Sequence, residues 1–369
     1  MSKKASNIAK SIAIMMMLMH HLFSTRSRIA ANGHGQAVSF DPFATGHVLV
    51  FSQCLEACVA VFVFITAYGI YKSISAKLDR ASDDAVATGT AEIAARYSCG
   101  HVVKLLMNFW AVYIPFALLG FAVSDHTALS VYGGEGVFNG ILYFLIDFLG
   151  LADMFQTPTL NDTWWYMSLA ILLIFLLPVC TLIARKVSSV VFLGIVLVLP
   201  PLAGFDTISS VWTYLPTAAC GIVFAQYDLF PKLDFKAKRP WQHALVFVAC
   251  AILLLVALRA RRNVDLVFAL NVVGACLVCQ IARELERVPG LSSVLNFIGR
   301  HSMNIFFLHT FIYSYYFGEF IFSFGHFLLI FAVLLAVSLA CSVVLEKLKE
   351  LTRYNKLRDN AVSRVESMF

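Results

Sequence analysis

The sequence predicts an all-α, polytopic transmembrane helix bundle. Composition is the first reason. Of 369 residues, 60% are hydrophobic and only 14% are charged, with a mean hydropathy of +0.79, whereas soluble domains carry about 25% charged residues. Recurrence is the second: apolar runs return along the whole chain, and several reach the roughly 17–25 residues that cross a bilayer as a helix. Charge placement is the third, because lysine and arginine gather at both ends and in alternate loops.

Eleven apolar segments follow in order: 8–24, 48–74, 101–124, 137–152, 164–184, 188–205, 211–227, 242–258, 264–281, 303–319 and 320–345. Lys3 and Lys4 precede the first. It reads as a retained helix rather than a signal peptide, since no small-residue cleavage site follows it. The polar loop 75–98, with "SDDAVATGT" at its middle, reads as a cytoplasmic connector. Both ends are basic (Lys3, Lys4 and Lys10; Lys347, Lys349, Arg353, Lys356, Arg358 and Arg364), which places both in the cytoplasm.

Two cytoplasmic ends require an even number of crossings. Segment 137–152 is short, contains Asp147 and starts in the glycine-rich "YGGEGVFNG", so it is expected to be re-entrant or interfacial. About ten crossings remain. Most of the 28 lysines and arginines then face the cytoplasm. Arg26, Arg28, Arg259, Arg261 and Arg262 face outward. The cluster "RARRN" at 259–263 reads as headgroup contact, a local topology error, or an anion site. Residues 1–350 form one integral-membrane domain, and 351–369 a basic cytoplasmic tail.

Several classes are excluded. The net charge of +6 reports topology rather than nucleic-acid binding. The nine cysteines lie mostly within apolar runs and form no disulfide framework. Cys276 and Cys279 make a lone CxxC inside the membrane, which reads as packing, and no metal site is expected. P-loop, HExxH, GxSxG and dinucleotide-binding glycine patterns are absent.

Ionisable groups inside spans cost roughly 2.5–3.5 kcal/mol each near a helix centre, so the few present are functional candidates. They are Lys10, His20, His21, Glu56 and His309, with His101 and Lys104 at helix edges. Lys10 and His21 are eleven residues apart. Eleven steps of about 100° return to within roughly 20° of one helix face, with an axial separation of about 16 Å. His20 points about 100° away. Glu56 lies at a depth similar to His21, where a carboxylate can orient or charge-stabilise an imidazole. Ser302 and His309 share a face in "GRHSMNIFFLH", and "NDTWWYM" opens another span with Trp164 and Trp165. For each group, interfacial anchoring or helix packing is the alternative.

In this order the motifs resemble acyltransferase family 3, integral-membrane enzymes that O-acylate bacterial surface sugars. The resemblance covers nearly the whole length. It begins with the Lys10-to-His21 spacing. It continues through "VAVFVFITAYGIYKS", where Ala67 stands in place of the family's usual glycine. The basic pair expected at the third helix is met by His101 and Lys104 in "HVVKLLMNFW", with Arg96 nearby. "NDTWWYM" and "IGRHSMNIFFLH" match the remaining two motifs.

The resemblance implies transfer of an acyl group, most often acetyl from cytoplasmic acetyl-CoA, to a hydroxyl of a surface polysaccharide or its lipid-linked precursor. The setting it implies is the bacterial plasma (inner) membrane. Lys10, Arg96, His101 and Lys104 would bind the polyanionic donor. His21 would act as base or transient acyl carrier, with Glu56 and His309 in support, and Asn161, Trp164, Trp165 and Ser302 would meet the acceptor. The expected partners are an acyl-CoA donor, a sugar acceptor and membrane lipids, without nucleic acid or metal. A glycolipid flippase is the alternative, although the repeats typical of transporters are absent.

Overall fold

The computed structural model describes residues 1–33, 35–83, 89–123, 125–202, 210–233, 239–261 and 267–368. Residues 84–88 of the polar connector, and Arg262, lie outside that set. Helices account for nearly all described residues. In chain order they are α1 (Lys3–Phe23), α2 (Arg26–Asn32), α3 (Thr45–Cys54), α4 (Cys58–Asp83), α5 (Thr90–Val123), α6 (Ala128–Tyr132), α7 (Val137–Phe148), α8 (Ala152–Phe155), α9 (Trp165–Lys186) and α10 (Ser189–Leu202). Then come α11 (Ser210–Gln226), α12 (Leu229–Lys232), α13 (Pro240–Ala260), α14 (Val267–Leu285), α15 (Pro289–Arg300), α16 (Ser302–Thr310), α17 (Gly318–Phe322), α18 (Phe327–Leu351) and α19 (Tyr354–Glu366).

Among the described residues, six stretches are long and apolar enough to cross a membrane: Thr45–Arg80, Thr90–Gly120, Asp162–Lys186, Pro240–Ala260, Val267–Leu285 and Phe327–Leu351. A seventh is reached if α1 and α2, bent by 83° at their junction, count as one span. The sequence reading expects about ten. The remaining apolar runs form shorter helices. α10 has 14 residues and α11 has 17. α16 has nine, followed by a six-residue π-helical turn, Phe311–Tyr316. The expected boundary between segments 303–319 and 320–345 falls inside α17, and the breaks lie on either side of it, at Phe317 and between Ser323 and His326. α7 has 12 residues, so it rises about 18 Å, too short for a hydrocarbon core of about 30 Å.

Apolar residues face outward and polar ones inward. Leu245, Val248, Ile252, Leu255 and Val256 of α13 are exposed, while Thr217, Asn271, Gln280, His309, Ser338 and Ser342 are buried. A soluble bundle would reverse this pattern; lipid-facing helices require it.

Two compact units divide the chain. The first comprises Met1–Arg28, Phe40–Thr90 and Leu177–Ser302. Within it α1 packs mainly on α15, α11 on α4, and α13 on α14. The Ser2 hydroxyl caps α1 by accepting from the Ala5 amide at 2.9 Å. Two glycines set the closest approaches. A Cβ at Gly221 would stand 2.6 Å from the Phe64 carbonyl oxygen, and one at Gly299 only 1.8 Å from that of Asn7. Asn7 also donates to Asn296 at 2.9 Å, so α1 meets α15 backbone to backbone.

The second unit comprises Ile29–Ser39, Ala91–Leu176 and Met303–Phe369. Its centre is aromatic: Phe109 and Tyr113 of α5 lie 4.7 and 5.6 Å from Trp164, and Phe311 lies 5.5 Å from the same ring. The Trp110 indole donates to the Phe148 carbonyl at 2.7 Å. An isolated parallel bridge joins Ser39 to His326. Residues 351–369, expected as a tail, form most of α19. This helix returns to α5: the Tyr354 hydroxyl donates to the Met107 carbonyl at 2.6 Å, and Arg358 donates to the Asn108 side chain at 3.2 Å.

Gly299→Ala is expected to destabilise the protein by at least about 1–3 kcal/mol through overpacking. Gly290→Ala, on the same helix with open space around its Cβ, should stay within about 0.5 kcal/mol. Thermal unfolding of both variants in detergent checks this, and equal melting temperatures would refute the close-approach account.

Candidate functional site

The first unit gathers Lys10, His20, His21 and Glu56. α1 is uninterrupted from Lys3 to Phe23, so the helical phase holds and Lys10 and His21 share a face. The His20 Nδ1 lies 3.0 Å from the Ser52 carbonyl oxygen. A carbonyl only accepts, so the hydrogen sits on Nδ1 and Nε2 is left as the basic nitrogen. The His20 and His21 rings meet edge to face, 5.3 Å apart. Gln53 ties the two elements together, donating to the Ser24 carbonyl at 2.8 Å.

Glu56 occupies a single 3₁₀ turn, Leu55–Ala57, between α3 and α4. Such interruptions within a long helix mark strain or function. Its Oε2 accepts from Arg261 Nη1 at 3.2 Å, and Arg261 Nε donates to Asn271 Oδ1 at 2.8 Å. The Arg261 side chain is only 10% exposed. One member of the outward basic cluster therefore turns inward. The sequence names Arg261 within the cluster, as headgroup contact, a local topology error or an anion site, but gives no sign of its pairing with Glu56 or of Asn271. The charges of Glu56, Arg28 and Arg261 all reach His20.

The second unit gathers Asn161, Trp164 and His309, and adds Thr163 and Thr310. Asn161 caps the 3₁₀ turn Asp162–Trp164 that opens α9, accepting from the Thr163 amide at 3.0 Å and the Thr163 hydroxyl at 2.7 Å. The Thr163 and Thr310 hydroxyls lie 3.0 Å apart, and Thr310 Oγ1 lies 3.3 Å from His309 Nε2. His309 Nδ1 faces the Phe306 and Ile305 carbonyls at 2.8 and 3.2 Å, so it carries hydrogen. The two hydroxyl hydrogens cannot fill all three contacts from Asn161 to His309 Nε2.

Two buried donors in this turn, Asn161 Nδ2 and Trp164 Nε1, have no partner within the protein. The Trp165 ring lies against Tyr166, 6.0 Å away. Ser302 is buried at the start of α16.

Asp147 orders the approach to Asn161. Its carboxylate accepts from the Tyr132 hydroxyl at 2.5 Å, the Thr159 hydroxyl at 3.0 Å and the Leu160 amide at 2.7 Å. Asp147 marked α7 as a poor span on sequence; its structural task is to fix the strand of loop leading into α9.

Besides Lys10 on α1, the donor-binding candidates lie in the first half of α5. His101 donates from Nδ1 to the Tyr97 carbonyl at 2.9 Å and stacks on that ring at 3.8 Å. Arg96 pairs with Glu92 at 2.8 Å, and its buried Nε has no partner. Lys104 is exposed. Farther along α5, Asn108 accepts from the buried Lys349 at 3.3 Å, and Lys349 pairs with Glu346 at 2.8 Å. Among the described residues no cluster suited to a metal ion occurs.

A family model described as an acyltransferase domain matches residues 3–347, nearly the whole chain. The chain belongs to acyltransferase family 3. The match spans both units and every candidate residue above, and with the apolar helices it makes this family member a multi-pass membrane acyltransferase. No curated protein and no solved structure matches the chain.

Asp147→Ala would leave the Tyr132, Thr159 and Leu160 donors unsatisfied, at about 1–3 kcal/mol for each buried group. Hydrogen exchange should show the Leu160 amide losing protection well before the amides of α5. Unchanged protection at Leu160 would refute this role.

Proposed function

We propose that this protein transfers an acetyl group from cytoplasmic acetyl-CoA to a hydroxyl of a bacterial surface polysaccharide or its lipid-linked precursor. The observation that best supports this reading is the alignment of Lys10 and His21 on one face of an unbroken α1. Their separation of about 16 Å along the axis is comparable with the pantetheine arm of coenzyme A. Lys10 then meets phosphate at the cytoplasmic end, and the thioester arrives at His21. Arg96, His101 and Lys104 supply further positive or hydrogen-bonding groups for the nucleotide. The topology that serves this chemistry has ten crossings with both chain ends in the cytoplasm of a cell bounded by the plasma (inner) membrane.

In the direct form of the reaction, the acceptor oxygen attacks the thioester carbonyl carbon and His21 takes its proton. The C–S bond breaks, the ester forms, and the departing thiolate takes the proton back from His21, which returns to its neutral form. The Glu56 carboxylate stabilises the imidazolium that forms. His20, fixed by Ser52, braces the His21 ring edge to face. In the second unit, Asn161 Nδ2 and Trp164 Nε1 are the unpartnered donors available for hydrogen bonding, and His309 positions the Thr310 and Thr163 hydroxyls beside them. Trp164, Trp165 and Ser302 contribute the apolar and hydroxyl contacts expected of a sugar site.

His21→Ala is expected to lower acetyl transfer by about 10²–10⁴-fold, the usual contribution of a general base, while melting temperature and membrane insertion stay unchanged. Membranes supplied with radiolabelled acetyl-CoA provide the assay, with label recovered as an alkali-labile ester on glycan. Activity within threefold of the unaltered protein would remove His21 from the mechanism. Glycan movement without label incorporation would favour a flippase.

A further inference from the structure

Arg261 and Asn271 beside Glu56, with Ser52 one helical turn before it, add polar groups that neither the family resemblance nor the alignment on α1 uses. We infer that they make a subsite for an uncharged sugar of the acceptor, gripping its hydroxyl groups beside the histidine pair. The ligand's identity as the acceptor rests on the acyltransferase reading above; the hydroxyl chemistry does not.

The inventory of unmatched groups is the ground for this inference. Asn271 is fully buried, yet its Nδ2 has no partner, while its Oδ1 is held by Arg261 Nε. Ser52 is also fully buried, with its Oγ unpartnered, and its carbonyl holds His20. Ser52 therefore connects these groups to the histidines, and Glu56 lies one helical turn beyond it. Arg261 spends two of its five N–H groups on Asn271 and Glu56. Unpartnered buried polar atoms also occur elsewhere, at Ser11, Thr217 and Ser338 among others, but those of Asn271 and Ser52 sit on residues bonded to Arg261 and to His20, where a bound group would satisfy them.

Charge decides which kind of group. Arg261 is already neutralised by the Glu56 carboxylate at 3.2 Å. An anionic ligand would meet that carboxylate's repulsion. Arg28, whose charge also reaches His20, is exposed and bonded to the Ser24 hydroxyl at 3.2 Å, where solvent screens it. What remains is a mixed set: amide, guanidinium and hydroxyl donors, together with a carboxylate on a side chain that is 51% exposed. A sugar hydroxyl both donates and accepts, so neighbouring hydroxyls can satisfy both halves of the set at once. A carboxylate or phosphate can only accept.

The test uses the full-length protein in lipid nanodiscs and saturation-transfer NMR. The probes are neutral methyl glycosides (of glucose, galactose, mannose and rhamnose) against the methyl glucuronide and galacturonide. At least one neutral glycoside should take up saturation, more strongly than either uronide. Asn271→Asp keeps the size and the acceptor for Arg261 but loses both N–H groups, and should reduce that signal at least fivefold. Ser52→Ala, which removes only a hydroxyl, should reduce it about threefold and serves if the aspartate variant fails to fold. Preference for a uronide, no saturation of any glycoside, or undiminished signal in the folded variants would overturn the subsite. Label transfer from acetyl-CoA is measured separately on the same preparation. Glycoside binding without transfer would count against the acyltransferase reading alone; transfer with binding insensitive to Asn271→Asp would count against the subsite alone.

Discussion

The backbone contact between Gly299 and Asn7 constrains the first unit more than any side chain does. α1 carries Lys10 and the histidine pair, and its position is set where α15 comes within reach of the Asn7 carbonyl oxygen. In lipid there is no hydrophobic drive between helices, so close packing over small residues has to supply the attraction. Glycine is the one residue that permits this approach. The Gly-x-x-Ser pattern preceding α16 thus has a mechanical meaning at its first position: it holds the helix that bears Lys10 and the histidine pair.

The polar interior follows from the same environment. An unsatisfied N–H or hydroxyl costs more in an apolar surround than in water, so each buried polar side chain is bonded or kept for a ligand. Both candidate clusters obey this rule, and both sit at departures from regular α-helix. Glu56 lies in a 3₁₀ turn between α3 and α4, and the π-helical turn Phe311–Tyr316 begins directly after His309 and Thr310. Such irregular turns re-aim side chains that a continuous helix would point elsewhere. In each cluster the orphaned donors, Asn271 Nδ2 in one and Asn161 Nδ2 with Trp164 Nε1 in the other, mark where chemistry has displaced packing.

Much of this was legible in one dimension. Hydropathy shows an all-helical membrane protein, helical phase pairs Lys10 with His21 and separates His20, and motif order names the family. Crossing number was less legible: hydropathy puts one boundary at 319/320, inside α17, where the chain has two breaks, at Phe317 and between Ser323 and His326. The cluster at 259–263 reads as headgroup contact, a local topology error or an anion site, since sequence does not say that Arg261 folds back to Glu56 and Asn271. Asp147 read as a defect in a span; its three donors come from Tyr132, Thr159 and Leu160, brought to it by the loop into α9.

The sequence by itself determined the class of the protein, its family and the face of α1 on which Lys10 and His21 lie. These depend on composition, on order and on a helical period that local residues set alone. Tertiary structure alone decided which polar groups meet: Arg261 with Glu56 and Asn271, Thr163 with Thr310 and His309, Asp147 with the Leu160 amide. Those contacts join residues far apart along the chain. Their partners are chosen by how helices pack, and packing is a property of the assembled bundle.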